Sequence, residues 1–169
     1  DGLGRPTLLA QGGANLTGKY VYTLQEYDVI GRKSKKWLPT ASTASTNQDT
    51  LFIDDIKSLA TNSYVDSEPF CEIFYDDLNR PIGKTLGGKK WSNHPSTIEY
   101  LFNSDEHIKN YIASNDSIKW GYYGEYYPKG SLIEEKVTDE DGHTVSTFKD
   151  VSGKIVLVRR DRTNDTYYV

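Results

Sequence analysis

Three histidines, one cysteine and a few adjacent carboxylates are the residues of this chain equipped for chemistry. His94, His107 and His143 have no metal-ligand spacing to one another or to Cys71. A single thiol excludes an internal disulfide and any structural zinc site built from several thiolates. Cys71 lies in the alternating run PFCEIFY and reads as a buried small hydrophobe. The sequence has no Gly-x-Ser-x-Gly elbow for a nucleophile. LGRPTLLAQGG has glycines but not the Lys-Ser/Thr ending of a phosphate cradle. Asp54–Asp55 and Glu134–Glu135 offer acid–base chemistry. Neighbours on a strand point to opposite faces, so neither pair need share a site. TDEDGHT supplies oxygens from Asp139, Glu140 and Asp141. It lacks the twelve-residue frame and distal bidentate Glu of a calcium loop, and a turn is the stronger reading. The expectation is a chain with no catalytic residues, no cofactor and no metal site.

The elements that position these residues set the rest of the reading. At 169 residues the chain is expected to form one β-rich domain, 1–169, with enough length for a real core. A net charge of -4 and a pI near 5.4 argue against nucleic acid as a partner. The basic clusters Arg32 to Lys36 and Arg159 to Arg162 are short and read as solvated strand ends. No apolar run is long enough to cross a bilayer as a helix. The absence of methionine suggests a processed or excised piece of a longer protein. Thirteen tyrosines against five phenylalanines suit half-buried strand faces, with rings packed and hydroxyls near water.

Alternation is frequent and helical periodicity scarce. GKYVYTLQEY places Tyr20, Tyr22, Leu24 and Glu26 on one face and Val21, Thr23, Gln25 and Tyr27 on the other. PFCEIFY, STIEYLF, SLIEEKVT, HTVSTFK and KIVLVRR also read as strands. TLFIDDIKSLA, Thr50 to Ala60, carries an approximate i, i+3, i+4 stripe and predicts one helix. DEHIKNYIA fits a helical turn through Ile108 and Ile112, or a strand through Tyr111. PTASTASTNQDT, KTLGGKKWSNHPS and NDSIKWGYYGEYYPKG read as connections.

One frame recurs between the strand-like runs: Asp, two variable residues, Gly or Asn, then a basic residue. Its copies are Asp1 to Arg5, Asp28 to Arg32, Asp76 to Arg80, Asp139 to His143 and Asp150 to Lys154. A type I turn favours Asp first and Gly fourth. The carboxylate accepts from backbone N–H groups beyond it, and the fourth residue enters the left-handed region as a bulge matched to strand twist. Asn79 is the next most tolerant residue there. Asp28, Gly31, Arg32, Asp76, Asn79, Arg80, Asp139, Gly142, Asp150 and Gly153 are therefore expected to hold turns. Tyr27 and Tyr75 precede two of them and are expected to pack on the sheet.

At these residues the chain resembles the YD-repeat, or Rhs (rearrangement hotspot), family, whose signature is Tyr-Asp, two variable residues, then Gly-Arg. DGLGRP, YDVIGRKSKKWLP, FYDDLNRP, YYPKGSLIEEKVTDEDGHTV and FKDVSGKIVLVRR resemble an uncharacterised domain near the N-terminal end of bacterial Rhs-repeat proteins. Thr138 and Lys149 depart from the tyrosine of the signature, and Asn79 from its glycine. The resemblance implies successive hairpins wound into a spiral sheet enclosing a shell, within large exported or surface proteins that often carry a C-terminal toxin. It implies neighbouring repeats of the same polypeptide as partners and assigns no catalysis to the hairpins.

The fold expected is all-β: a twisted antiparallel sheet of successive hairpins with a short helical insertion. The second functional class is a binding module for glycan or protein. Trp120, Tyr122, Tyr123, Tyr126 and Tyr127 crowd into eight residues, and an exposed aromatic surface binds by stacking and apolar burial.

Overall fold

The computed structural model describes residues 1–13, 20–42, 52–104, 107–121 and 125–169. The fold is antiparallel β-sheet with one short helix. The chain divides into two compact units, Asp1–Pro95 and Ser96–Val169.

In the first unit the strands are β1 (Leu8–Gln11), β2 (Val21–Tyr27), β3 (Lys33–Trp37), β4 (Thr40–Ala41), β5 (Phe70–Tyr75) and β6 (Pro81–Thr85). They run in the order β1-β2-β3-β5-β6, with β4 also on β2. The short strand β4 falls inside a stretch read from sequence as a connection; Thr43 to Thr50 of that stretch lie outside the described residues. Tyr22 and Leu24, two residues apart on β2, share one sheet face and are buried there with Trp37. Helix α1 (Ile53–Tyr64) covers this face with Ile56 and Ala60, while Leu8, Leu59 and Phe70 fill the margins.

The helix differs from the sequence expectation at both ends. Thr50 and Leu51 lie outside the described residues, and Phe52 is the extended residue before the first turn. Asp54 and Asp55 sit in that first turn, where carboxylates suit the positive end of the helix dipole. The helix continues past Ala60 to Tyr64 and stops where Val65 turns left-handed at φ 51°. The polar run Thr61-Asn62-Ser63 hid this last turn from the apolar pattern. Glu26, on the same sheet face, ties the helix down. It accepts from the Trp37 indole N–H and from Lys57 Nζ of α1 at 3.0 Å.

The second unit comprises β7 (Ser96–Phe102), β8 (Tyr111–Ser114), β9 (Ser117–Trp120), β10 (Ile133–Thr138), β11 (Thr144–Lys149), β12 (Ile155–Arg160) and β13 (Asn164–Tyr167). The order is β7-β10-β11-β12-β13, and β8–β9 form a separate hairpin. Asp105 and Glu106 of DEHIKNYIA lie outside the described residues; its later part is strand, with β8 starting at Tyr111, whose ring meets Tyr167 edge-on at 5.0 Å. Ile108, Leu132, Phe148, Val156 and Leu157 form the core, with Tyr127 and Tyr167 against it.

Asn103 is buried beside that core and fastens the loop before β10. Its Nδ2 donates to the Pro128 carbonyl at 3.0 Å, and its Oδ1 accepts from the Leu132 N–H at 2.8 Å. The Pro128 carbonyl also accepts from the Ser131 N–H and hydroxyl, so Asn103→Ala strands the Leu132 N–H and should lower stability by about 1–3 kcal/mol. Equilibrium urea unfolding measures this. A loss under roughly 0.5 kcal/mol, the range of ordinary surface changes, would show that the clamp is replaceable.

Candidate functional site

The repeated frame builds one local geometry five times. In every copy the N–H of the fourth residue donates to the Asp carbonyl at 2.9–3.1 Å. The fourth residue is left-handed each time: Gly4, Gly31, Asn79, Gly142 and Gly153 span φ 62–92°. Asp Oδ1 accepts the N–H of the third residue at 2.8–3.1 Å. The same oxygen accepts the N–H of the fifth at 2.8–3.0 Å. Asp28, Asp76, Asp139 and Asp150 also donate their own N–H to the fifth residue's carbonyl at 2.8–3.0 Å. An aspartate of the right reach thus satisfies two N–H groups that a tight reversal turns away from any sheet partner.

Three of the turns are followed by a bulge at one position. Tyr27 pairs with Lys33 while Glu26 pairs with Lys35, so Ser34 is the extra residue. Ile82 and Val156 are the extra residues after the third and fifth turns. The fourth hairpin, β10–β11, runs through without a shift.

The arginine copies add a second layer that links one turn to the next. Arg5, Arg32 and Arg80 each point Nε at Oδ2 of their own aspartate, at 2.6, 2.6 and 2.8 Å. The Arg5 guanidinium lies over the Tyr27 ring at 4.4 Å, and that of Arg32 over the Tyr75 ring at 4.5 Å. Each tyrosine returns a hydrogen bond: Tyr27 Oη to the Pro6 carbonyl at 2.9 Å, Tyr75 Oη to the Lys33 carbonyl at 3.0 Å. The carbonyl used is the one just after the stacked arginine. Arg32 Nη1 also donates to Asn79 Oδ1 at 2.9 Å. A Cβ added to Gly31 would meet the Arg5 guanidinium, so the glycine serves the neighbouring turn as well as its own.

Sequence reasoning expected Arg32 and Arg80 to hold turns and these tyrosines to pack on the sheet. It missed that they partner each other across successive turns. The signal was present: Tyr before Asp and Arg after the fourth residue occur together at Asp28 and Asp76. In the fourth and fifth copies both are replaced, Thr138 and Lys149 for Tyr, His143 and Lys154 for Arg. There the aspartate network stands without the stack, and His143 Nδ1 lies 3.5 Å from Asp161 Oδ1 instead.

The remaining candidates stay apart. Among the described residues, no group of three His, Cys, Asp or Glu side chains is placed to hold a metal. Glu135 pairs with Lys149 at 2.9 Å, while its neighbour Glu134 turns toward Phe148 and Ser146 on the other face. Cys71 is half-buried, a departure from the buried position expected. It pairs with Lys36, on the sheet face away from α1. In the aromatic segment, Tyr127 packs against the core of the second unit, whereas Trp120 and Tyr126 are 37% and 38% exposed. Their rings meet edge-to-face at 5.1 Å, and Lys109 Nζ sits 4.6 Å over the Trp120 ring. Tyr122 and Tyr123 lie outside the described residues.

Hydrogen bonding lowers the carboxyl pKa at three of the turns, Asp28, Asp76 and Asp150. Desolvation pushes Asp28 and Asp76 up, but hydrogen bonds from the side chain and backbone N–H of Arg32 and Arg80, with their charge, hold both below the ordinary value. For Asp150 the Ser152 hydroxyl contributes most, and it too is lowered. A lowered folded pKa means stabilisation that is complete above the unfolded value near about 4 and is lost as pH falls through the folded one. Asp28→Asn keeps an acceptor oxygen but cannot ionise. The stability gap between native chain and Asp28→Asn should therefore shrink from about pH 6 to about pH 3. A gap that stays constant in urea midpoints across that range contradicts the assignment. The stacks have their own test. A double-mutant cycle of Arg32→Gln and Tyr75→Leu should give a coupling of about 0.5–1 kcal/mol; additive losses would mean that the stack contributes nothing.

One family model matches the chain, the Domain of unknown function (DUF6443), over residues 1–103. No curated protein and no solved structure matches. The matched residues contain the three arginine- or asparagine-bearing turns and both tyrosine stacks. The chain belongs to the family described as Domain of unknown function (DUF6443).

Proposed function

We propose that this chain is a non-catalytic structural module of a large secreted or cell-surface Rhs/YD-repeat protein of bacterial type. In this reading its hairpins form part of a β-shell that encapsulates or presents a C-terminal effector or toxin. The observation that carries the reading is the Arg–Tyr linkage between successive turns. Arg5 needs the tyrosine of the second turn, and Arg32 needs that of the third. A hairpin of this type is completed by the next one in the same polypeptide, which suits a scaffold grown by repetition. The Asp-x-x-Gly residues are occupied in holding backbone, which leaves them nothing to offer a substrate.

A binding module for glycan or another protein is the second reading, on the exposure of Trp120 and Tyr126. Their perpendicular rings and the Lys109 ammonium over Trp120 offer a sugar no flat open row. The shell reading is therefore favoured.

Limited proteolysis of the full-length protein that contains this chain separates the two. The shell reading expects a C-terminal segment that resists protease in the intact protein and is digested quickly when expressed alone. Equal cleavage rates in both settings overturn it. A reproducible glycan-array hit abolished by Trp120→Ala moves the assignment to the binding module.

A further inference from the structure

The face of the first sheet away from α1 carries a groove of about 550 Å³, within the range of small-molecule sites. Leu9, Leu38, Pro39 and Cys71 supply much of its wall, and Lys33 and Lys36 stand on it as well. Two adjacent features explain the lysines. Lys36 pairs with Gln25 on one side and Cys71 on the other, which fixes its side of the sheet. Alternation alone would send Lys33 to the opposite side. The extra residue at Ser34, which follows from the Asp28–Arg32 turn, restores Lys33 to the side of Lys36 and pairs it with Tyr27.

The charge at this groove is one-sided. Its described lining contains no Asp or Glu, although the chain as a whole is acidic. The neighbouring cations are engaged elsewhere: Lys35 with Glu72 at 3.6 Å, Lys57 with Glu26 at 3.0 Å, and Arg32 with Asp28. Lys33 and Lys36 are both exposed and both line the groove. An apolar trough with unopposed ammonium groups along it complements a molecule with one anionic head and one linear hydrocarbon tail.

We propose that this groove binds a single-chain alkyl carboxylate as a monomer, the tail along Leu9 and Leu38 and the carboxylate between Lys33 and Lys36. The inference does not rest on the shell reading, because it uses only the chemistry of one sheet face. Recognition is by tail burial for affinity and by the two lysines for the head group.

The test uses octanoate, decanoate and dodecanoate below their micellar concentrations, with isothermal titration calorimetry. Affinity should rise about fourfold per added methylene, the factor for burying one CH₂. Lys33→Gln and Lys36→Gln should each weaken carboxylate binding by about threefold, as expected for exposed ion pairs, and leave binding of the matching n-alkanol unchanged. Cys71 is the chain's single thiol, so its alkylation by N-ethylmaleimide reports the location. Bound dodecanoate should slow that reaction in proportion to occupancy. Several results overturn the proposal: no dodecanoate binding below the micellar concentration, equal affinity for carboxylate and alkanol in the native chain, or unchanged Cys71 reactivity at saturation. Binding only to anionic vesicles, or only to an acidic peptide with no dependence on alkyl length, also overturns it.

Discussion

Each of the five Asp-x-x-Gly/Asn reversals depends on one carboxylate oxygen accepting two backbone N–H groups. A hairpin loop leaves the N–H groups of its third and fifth residues without a ladder partner, and a short acidic side chain at the first position reaches both. Asp fits because its carboxylate sits one methylene from the backbone; Glu would overshoot. The fourth residue must then turn left-handed, which explains Gly in four copies and Asn79 in the other. At Asp28, Asp76 and Asp150 the hydrogen bonds that close the loop also favour the ionised carboxyl, so there turn geometry and charge are linked.

The arginine copies extend this constraint from one loop to a series. Oδ1 is committed to backbone, and Oδ2 is left to orient the guanidinium, which for Arg5 and Arg32 lies over a tyrosine of the following turn. The tyrosine hydroxyl closes the circuit on the backbone just past that arginine. The planar, always-charged guanidinium can satisfy a carboxylate edge-on and an aromatic face at once, which a lysine ammonium cannot do. Where Lys154 and His143 replace arginine, the tyrosine is gone too, and the turn is local.

The strands and turns were legible because their signals are short-range. Alternation in VYTLQEY and FCEIFY, and Asp and Gly at fixed offsets, each act within one hairpin. The helix was legible in its middle, where Ile56 and Ala60 face the core, but not at its end, where polar Thr61 to Ser63 carry no pattern. Strands β1, β9 and β13 carry little apolar alternation and are fixed by their pairing. Asn103 carried no signal in the sequence; it is buried where its side chain holds the loop backbone before β10. The exposure of Cys71 followed from the helix choosing the other sheet face, which alternation alone does not decide. The stacked tyrosines and arginines were visible as residues but not as partners, since 22 to 43 residues separate the members of each pair.

The bulge at Ser34 connects turn chemistry to surface chemistry. The extra residue matches loop to strand twist, and it also decides which face Lys33 occupies. A feature that serves folding thereby sets the charge of a groove.

Amide hydrogen exchange at the turns tests the central claim most directly. Resolved by NMR, the N–H groups of Ile30 and Arg32, both bound to Asp28 Oδ1, should exchange far more slowly than the unbonded N–H of Val29, which is fully exposed. The same contrast should recur at Leu78 and Arg80, and at Ser152 and Lys154. Uniformly fast exchange across these loops, in a chain whose strands remain protected, would contradict the carboxylate-held turn.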